Sequence, residues 1–279
     1  MNTNEVQKAL RESLGLPVKK EMVPTLPQEG HICDFPIWSY SKYRSTITKC
    51  RIDYEDGSFF ELEAPKGMPS PCFPGFLDCL LFYGQKDLFI TEHTAISVYH
   101  IFKTLQMDAG NGGNYALFRE DMKRAFALFM MTDRFRNPET GQRSHVEYFR
   151  VLRRMSLAKT RRDTSTFYFD DVFLASLRTG YLKRLNFDYC IWLDKQNKAL
   201  ARFMYGHILK RLGEKSVYTR NLMGFLRDIG LGDMVELEPK RRNEALKRIV
   251  FPALDTLTGE VLRCYEIDDR GNIFFIAKD

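Results

Sequence analysis

Arginine and lysine side chains gather in two stretches of this sequence, residues 150–162 and residues 240–248. Guanidinium and ammonium groups bind phosphate oxygens, and each phosphate that they neutralise on a nucleic acid releases condensed counterions. The whole chain has 42 Lys and Arg against 36 Asp and Glu, a formal net charge of +6, so its overall excess is mild. The clustering therefore indicates a polyanionic partner, with a solvated and salt-bridged surface as the alternative.

Residues 239–257 carry the clearer cluster. On a helical wheel with about 100° per residue, the apolar residues form one stripe: Ala245, Leu246, Ile249, Val250, Ala253 and Leu257. Cations occupy the opposite half, with Arg242 nearer to the stripe: Lys240, Arg241, Lys247 and Arg248. Pro252 lacks an amide hydrogen, so the helix is expected to kink or restart there. Such a helix fits the major groove of duplex DNA, where Arg and Lys reach guanine O6 and N7.

Seven further cations are candidates for DNA contact: Arg119, Lys123, Arg124, Arg161, Arg162, Arg220 and Arg270. The first three lie on a predicted helix at residues 115–131, which also carries two acids, so a plain surface face is the alternative there. Arg161 and Arg162 lie near the turn of a predicted β-hairpin. The tip of such a hairpin would touch phosphates or enter a minor groove.

The elements that must position these cations repeat one order along the chain. Three helices precede a two-stranded ribbon in the first half, and three helices precede a terminal hairpin in the second half. Five predicted helices span residues 91–106, 115–131, 170–178, 195–212 and 219–229, and two more begin at residue 73 and at Pro239. The predicted strands are 145–156, 165–169, 260–267 and 272–277. An additional hairpin is predicted at 47–63.

This order predicts an α+β fold with two tandem winged-helix domains, each a helix-turn-helix followed by a β-hairpin wing. We predict a flexible N-terminal arm at residues 1–34, which includes a short amphipathic stretch at 6–14. The first winged-helix domain is predicted at residues 35–180, with the additional hairpin at its start, and the second at residues 181–279.

Composition narrows the class of protein. Hydrophobic residues make up 44% of the chain, which is enough apolar material for one or two packed cores. No apolar run approaches the roughly 18 residues of a membrane span, and the polar N-terminus does not resemble a secretory signal, so we expect a cytoplasmic protein. The 6 cysteines have no metal-type spacing, and the sequence predicts no metal and no cofactor.

Catalytic alternatives find little support in the residue spacing. A rolling-circle initiator needs two histidines separated by one residue, and the 5 histidines never take that spacing. A nucleotide-driven motor needs a phosphate-binding loop that ends in Gly-Lys-Ser/Thr, and none is present. A metal-dependent nuclease built on Asp228, Asp233, Glu238 and Lys240 is the remaining enzyme alternative, but Glu238 is better explained as a helix cap. We therefore expect a binding protein and not an enzyme.

Several segments resemble the plasmid replication initiator protein A family. In the second half they are FDYCIWL (187–193), LARFMY (200–205), FLRDIGL (225–231) and RIVFPAL (248–254), and in the first half YEDG (54–57) and the stretch 67–81 that begins with GMP. The resemblance covers roughly residues 35–278 and leaves the N-terminal arm unmatched.

The resemblance implies a nucleoid-associated protein that binds repeated sites at a replication origin and helps to open the DNA. It further implies recruitment of host replication proteins, repression of the protein's own promoter, and exchange between a homodimer and an origin-binding monomer. A winged-helix transcription regulator or repressor is the alternative, because both functions need only specific binding of double-stranded DNA.

Overall fold

A computed structural model describes residues 25–29, 37–38, 48–54, 56–86, 89–135, 145–178, 182–196, 198–213 and 215–278. Of the predicted N-terminal arm, only residues 25–29 belong to this part, and the amphipathic stretch at 6–14 lies outside it. The described chain mixes helices with antiparallel sheets, which confirms the predicted α+β class.

The first half of the chain alternates short strands with helices. Its strands are β1 (Thr25–Glu29), β2 (Lys49–Asp53), β3 (Phe59–Glu63), β4 (Gln85–Lys86), β5 (Phe89–Ile90), β6 (His93–Ser97), β7 (Phe129–Thr132), β8 (Glu147–Phe149), β9 (Leu152–Ser156) and β10 (Thr164–Phe169). Its helices are α1 (Phe73–Tyr83), α2 (Val98–Thr104), α3 (Gly112–Ala127) and α4 (Asp171–Arg178).

The second half starts with a strand and ends with a hairpin. Its strands are β11 (Leu182–Asn186), β12 (Val217–Asn221), β13 (Leu262–Ile267) and β14 (Asn272–Ala277). Its helices are α5 (Phe187–Lys195), α6 (Ala199–Leu212), α7 (Leu222–Asp228), α8 (Gly232–Val235), α9 (Pro239–Ala245) and α10 (Phe251–Leu257). A π-helical turn at Leu246–Val250 joins α9 to α10, and we call the continuous helix over residues 239–257 the late helix.

One order of elements occurs twice. A helix leads to a strand, a second helix, a longer helix and then a hairpin: α1, β6, α2, α3, β9 and β10 in unit 1, and α6, β12, α7, the late helix, β13 and β14 in unit 2. Each unit contains a three-stranded antiparallel sheet, in the order β6-β10-β9 or β12-β14-β13. In both sheets the last strand of the hairpin therefore lies between the other two.

A four-stranded antiparallel sheet, in the order β2-β3-β7-β8, is added to unit 1. It contains the hairpin predicted at 47–63. The helix predicted at 115–131 ends at Ala127, because Phe129–Thr132 pairs with β3 instead. The strand predicted at 145–156 is divided between β8 in this sheet and β9 in the three-stranded sheet.

Two predicted helices begin with strands instead. Residues 93–97 and 217–221 pair with β10 and β14, and α2 and α7 start only after them. Ser97 and Asn221 mark the change, since each side chain accepts a hydrogen bond from a backbone N–H in the first turn of the helix that follows. The helix predicted at 195–212 starts at residue 199, after the separate helix α5.

The two halves of the chain share one apolar core. β1 pairs antiparallel with β11, which joins part of the predicted arm to the second half. Phe82 stacks on Phe187 with 4.2 Å between their ring centroids, and a buried ion pair joins Asp78 to Arg202. The domain boundary at residue 180 stays a prediction, but side chains from both sides of it are packed together.

Candidate nucleic-acid interface

The late helix is anchored by an apolar stripe whose spacing is shifted by the π-helical turn. Leu246, Val250 and Leu254 are buried at intervals of four residues. Pro252 explains the turn: because it has no amide hydrogen, the carbonyl of Arg248 loses its usual α-helical partner, and a wider turn is tolerated. Regular α-helix resumes at Phe251, with Pro252 in its first turn, which is the restart that the sequence predicted.

The shift reverses the prediction for Ile249. The helical wheel assigned Ile249 to the apolar stripe, whereas the residue is 45% exposed in the structure. A π turn closes over more residues than an α-helical turn, so the residues within and beyond it are rotated about the helix axis. Leu254 takes an inward place as a result, and Ile249 faces solvent.

The predicted cations of the late helix are exposed, apart from Arg242: Lys240, Arg241, Lys247 and Arg248. None of these four forms an ion pair with a residue that the structure describes. Glu244 is the one acid within residues 240–248, and it is exposed as well. The helix therefore presents an excess of positive charge to solvent, which is what a phosphate backbone attracts.

Arg242 makes a structural contact. It is half-buried, and its Nη1 donates a hydrogen bond to the carbonyl of Val235 at 3.0 Å. This bond ties the first turn of the late helix to α8. The side chain lies towards the apolar side, as the wheel predicted, and its guanidinium is engaged with the protein's own backbone.

Helix α3 presents a smaller cationic face. Arg119 and Lys123 are four residues apart and exposed, so they lie on one side of the helix. Arg124 is engaged elsewhere: its Nε lies 3.2 Å from Oε1 of Glu120, and its Nη1 donates to the carbonyl of Met68 at 3.4 Å. Two of the three predicted cations of α3 thus face solvent, and the third binds Glu120 and the backbone of Met68.

The loop between β9 and β10 brings two arginines to the start of α2 and α3. The guanidinium of Arg161 lies 4.4 Å from the ring centroid of Tyr115, and its Nη1 donates to the carbonyl of Gly110 at 3.2 Å. Arg162 lies 5.9 Å from the ring centroid of Tyr99. Both arginines remain exposed, at helix ends whose dipoles also favour anions.

Arg220 and Arg270 differ in their environment. Arg220, on β12, forms two hydrogen bonds with the carboxylate of Asp228, at 2.9 Å from Nε and at 3.2 Å from Nη2, so its charge is compensated. Arg270 is exposed at the turn between β13 and β14. Hydrogen bonds from Asn272 hold that turn and lower the pKa of Asp268.

Sequence reasoning missed a charged cluster in the core. Arg202 of α6 pairs with Asp78 of α1, and both are buried. Asp194 of α5 is close enough to interact with both charges, and burial raises the pKa of Asp194 to about 8. The available signal was Asp78 itself, an acid in the middle of the apolar helix FPGFLDCLLFY.

The catalytic alternatives gain no support from the described residues. Among those residues, no group of three or more His, Cys, Asp or Glu side chains could hold a metal ion. Glu238 occupies the N-cap position of the late helix, as predicted, although its side chain makes no capping hydrogen bond. No helix in the described part of the chain is sufficiently long and apolar to cross a membrane.

Comparison with known proteins identifies a shared fold. Neither a family model nor a curated protein matches the sequence. The crystal structure of selenomethionine derivatives of domains 2 and 3 of RctB matches 90% of this chain and 98% of its own, with a TM-score of 0.56 and 13% identity. A second structure of these domains has a TM-score of 0.50 and 12% identity, over 90% of this chain and 97% of its own. At such identities the likeness shows the fold alone.

Proposed function

We propose that this protein is a replication initiator that binds specific duplex DNA through two winged-helix units. The observation that carries the proposal is the row of exposed cations on the late helix, which no described acid neutralises: Lys240, Arg241, Lys247 and Arg248. Arginine and lysine on a helix in the major groove reach both phosphates and guanine edges.

The repeated order of elements supports the winged-helix assignment. In each unit a strand separates the first two helices, and a hairpin after the third helix completes a three-stranded sheet. The late helix and α3 hold the same place in this order, which is the place of the recognition helix. The hairpin turns that carry Arg162 and Arg270 hold the place of the wings.

One finding favours an initiator over a transcription regulator. The fold shared with domains 2 and 3 of RctB, a replication initiator, supports a replication-initiator role, and the resemblance to the plasmid replication initiator protein A family stays a prediction from the sequence. We propose that its partners are repeated origin sites and host replication proteins, and that it forms a homodimer away from the origin. We further propose that it acts in the cytoplasm at the nucleoid, by binding and not by catalysis. Short direct repeats beside an AT-rich stretch near the gene would favour an initiator, and their absence would favour a transcription regulator.

The proposal predicts the effect of removing two exposed arginines from the late helix. Arg241→Ala combined with Arg248→Ala should lower the affinity for a duplex selected from a random pool by at least about tenfold. The loss should be larger on the selected duplex than on a scrambled one, because base contacts disappear along with phosphate contacts. Fluorescence anisotropy with the full chain measures both affinities.

A matched control removes the same charge elsewhere. Lys66, in the turn after β3, and Lys215, just before β12, are both exposed and lie outside the proposed recognition helices. Lys66→Ala combined with Lys215→Ala should bind the selected duplex within about twofold of the wild type. If the two double variants lose equal affinity, or if neither loses any, the late helix does not read the DNA.

A further inference from the structure

Ile249 is an exposed apolar side chain in the middle of the cationic late helix. Lys247 and Arg248 directly precede it in the sequence, and Arg241 lies about two helical turns earlier; all three cations are exposed. The next residue, Val250, is fully buried. Ile249 is therefore an apolar side chain that is exposed to solvent on the same helix as the exposed cations.

This exposure follows from the π-helical turn over residues 246–250. A regular α-helix would return Ile249 to the apolar stripe, as the helical wheel predicts, and bury it with Leu246 and Val250. The π-helical turn instead leaves this large apolar side chain exposed to solvent. π turns inserted in α-helices occur frequently at functional sites, and here the consequence is an isoleucine presented among cations.

We propose that Ile249 recognises thymine by apolar contact with its 5-methyl group in the major groove. This inference rests on the proposed function, because it assumes that the late helix enters that groove. Thymine is the base that presents a methyl group there, and isoleucine has no side-chain donor or acceptor for the other base edges. The flanking cations Arg241, Lys247 and Arg248 suit phosphates and purine edges, and they disfavour an apolar protein surface as the partner.

The test removes one methyl group at a time from the DNA. A duplex selected from a random pool by the full chain is resynthesised with each thymine in turn replaced by deoxyuridine, which lacks the 5-methyl group. We expect one or two positions at which the replacement weakens wild-type binding about fourfold, the factor that corresponds to one buried methyl-sized group. In Ile249→Ala the same replacements should change the affinity by less than about 1.5-fold.

Two controls keep the inference separable from the proposed function. Ile249→Val should retain the response to deoxyuridine, and Arg248→Ala should bind more weakly yet still respond to it. Equal responses in the wild type and in Ile249→Ala, or a selected site without a responsive thymine, would overturn the role of Ile249 while specific binding stands. If the chain selects no duplex at all, the proposed function itself fails.

Discussion

Asp194 lies where the two halves of the chain meet, and its surroundings do not suit an ionised carboxylate. Both of its oxygens are shielded from water and find no hydrogen-bond partner among the described residues. Gly75 makes room for the carboxylate, since a Cβ at that position would lie 2.8 Å from Oδ2. Arg202 already pairs with Asp78, so one cation serves two acids, and burial raises the pKa of Asp194 to about 8.

The burial of Asp194 predicts that the free energy of unfolding decreases as the pH rises. In the unfolded chain an aspartate ionises near pH 4, whereas in the folded chain Asp194 holds its proton to about pH 8. The folded state thus binds the extra proton between these values, and stability declines across that window. Asp194→Asn cannot ionise, so it should be more stable than the wild type at pH 8, and its advantage should grow by up to about 1.4 kcal/mol for each pH unit within the window.

Thermal unfolding followed from pH 5 to pH 9, a range set by the window between the two pKa values, measures this effect. The variant should show a flatter profile than the wild type, and the gap should close towards pH 5. Parallel profiles for the two proteins would mean that Asp194 stays ionised in the folded state. Asp78→Asn is a contrasting variant, because it leaves Arg202 without its buried partner and should destabilise at every pH.

For single residues, the sequence predicted which cations of the late helix are exposed, but it did not predict the contacts that the other candidate cations make. The exposed cations of the late helix follow from its helical period. The pairing of Arg220 with Asp228 could not be predicted, because the predicted helix at 219–229 placed Arg220 in a helix, whereas it lies in a strand. The exposure of Ile249 depends on one missing hydrogen at Pro252, an effect that a wheel of fixed period cannot represent.

Among the elements, the helices were easier to predict than the strands that precede them. The apolar period within α2 and α7 is local, whereas β6 and β12 are five-residue strands that pair with partners more than 50 residues away. Ser97 and Asn221 could have marked the change, since both are common helix caps. The hairpins, whose strands are adjacent in sequence, were predicted close to their observed places.

The hairpin tip of unit 1 should act on phosphates and not on bases. Arg162 is exposed there, so Arg162→Ala should weaken binding about equally on selected and scrambled duplexes. It should also reduce the slope of log affinity against log salt by about one. Affinity measured by anisotropy over a salt series provides both quantities.

Arg153 is the matched control for this element. It lies on β9 of the same hairpin, but its Nη1 is 2.7 Å from Oδ1 of Asp171, so its charge is compensated. Arg153→Ala should leave the salt slope unchanged. An unchanged slope in Arg162→Ala as well would remove the hairpin tip from the DNA contact.

Across the whole molecule, the two halves of the chain are joined by contacts that no local pattern predicts. β1 pairs with β11 across more than 150 residues, Phe82 stacks on Phe187, and the ring of Trp38 meets that of Phe203 edge-on at 5.7 Å. The repeated order of elements was visible in the sequence, but these pairings were not, because each joins segments that are distant along the chain. Their consequence is that both proposed recognition helices belong to one shared core.

The measurement that tests this account most directly is the affinity of the full chain for a selected duplex and for its scrambled counterpart across a salt series. The account predicts that the selected duplex is bound at least about 1,000-fold more tightly. It also predicts that log affinity falls linearly with log salt, by about 0.9 for each phosphate contacted. Equal affinity for the two duplexes, or binding that does not respond to salt, would contradict it.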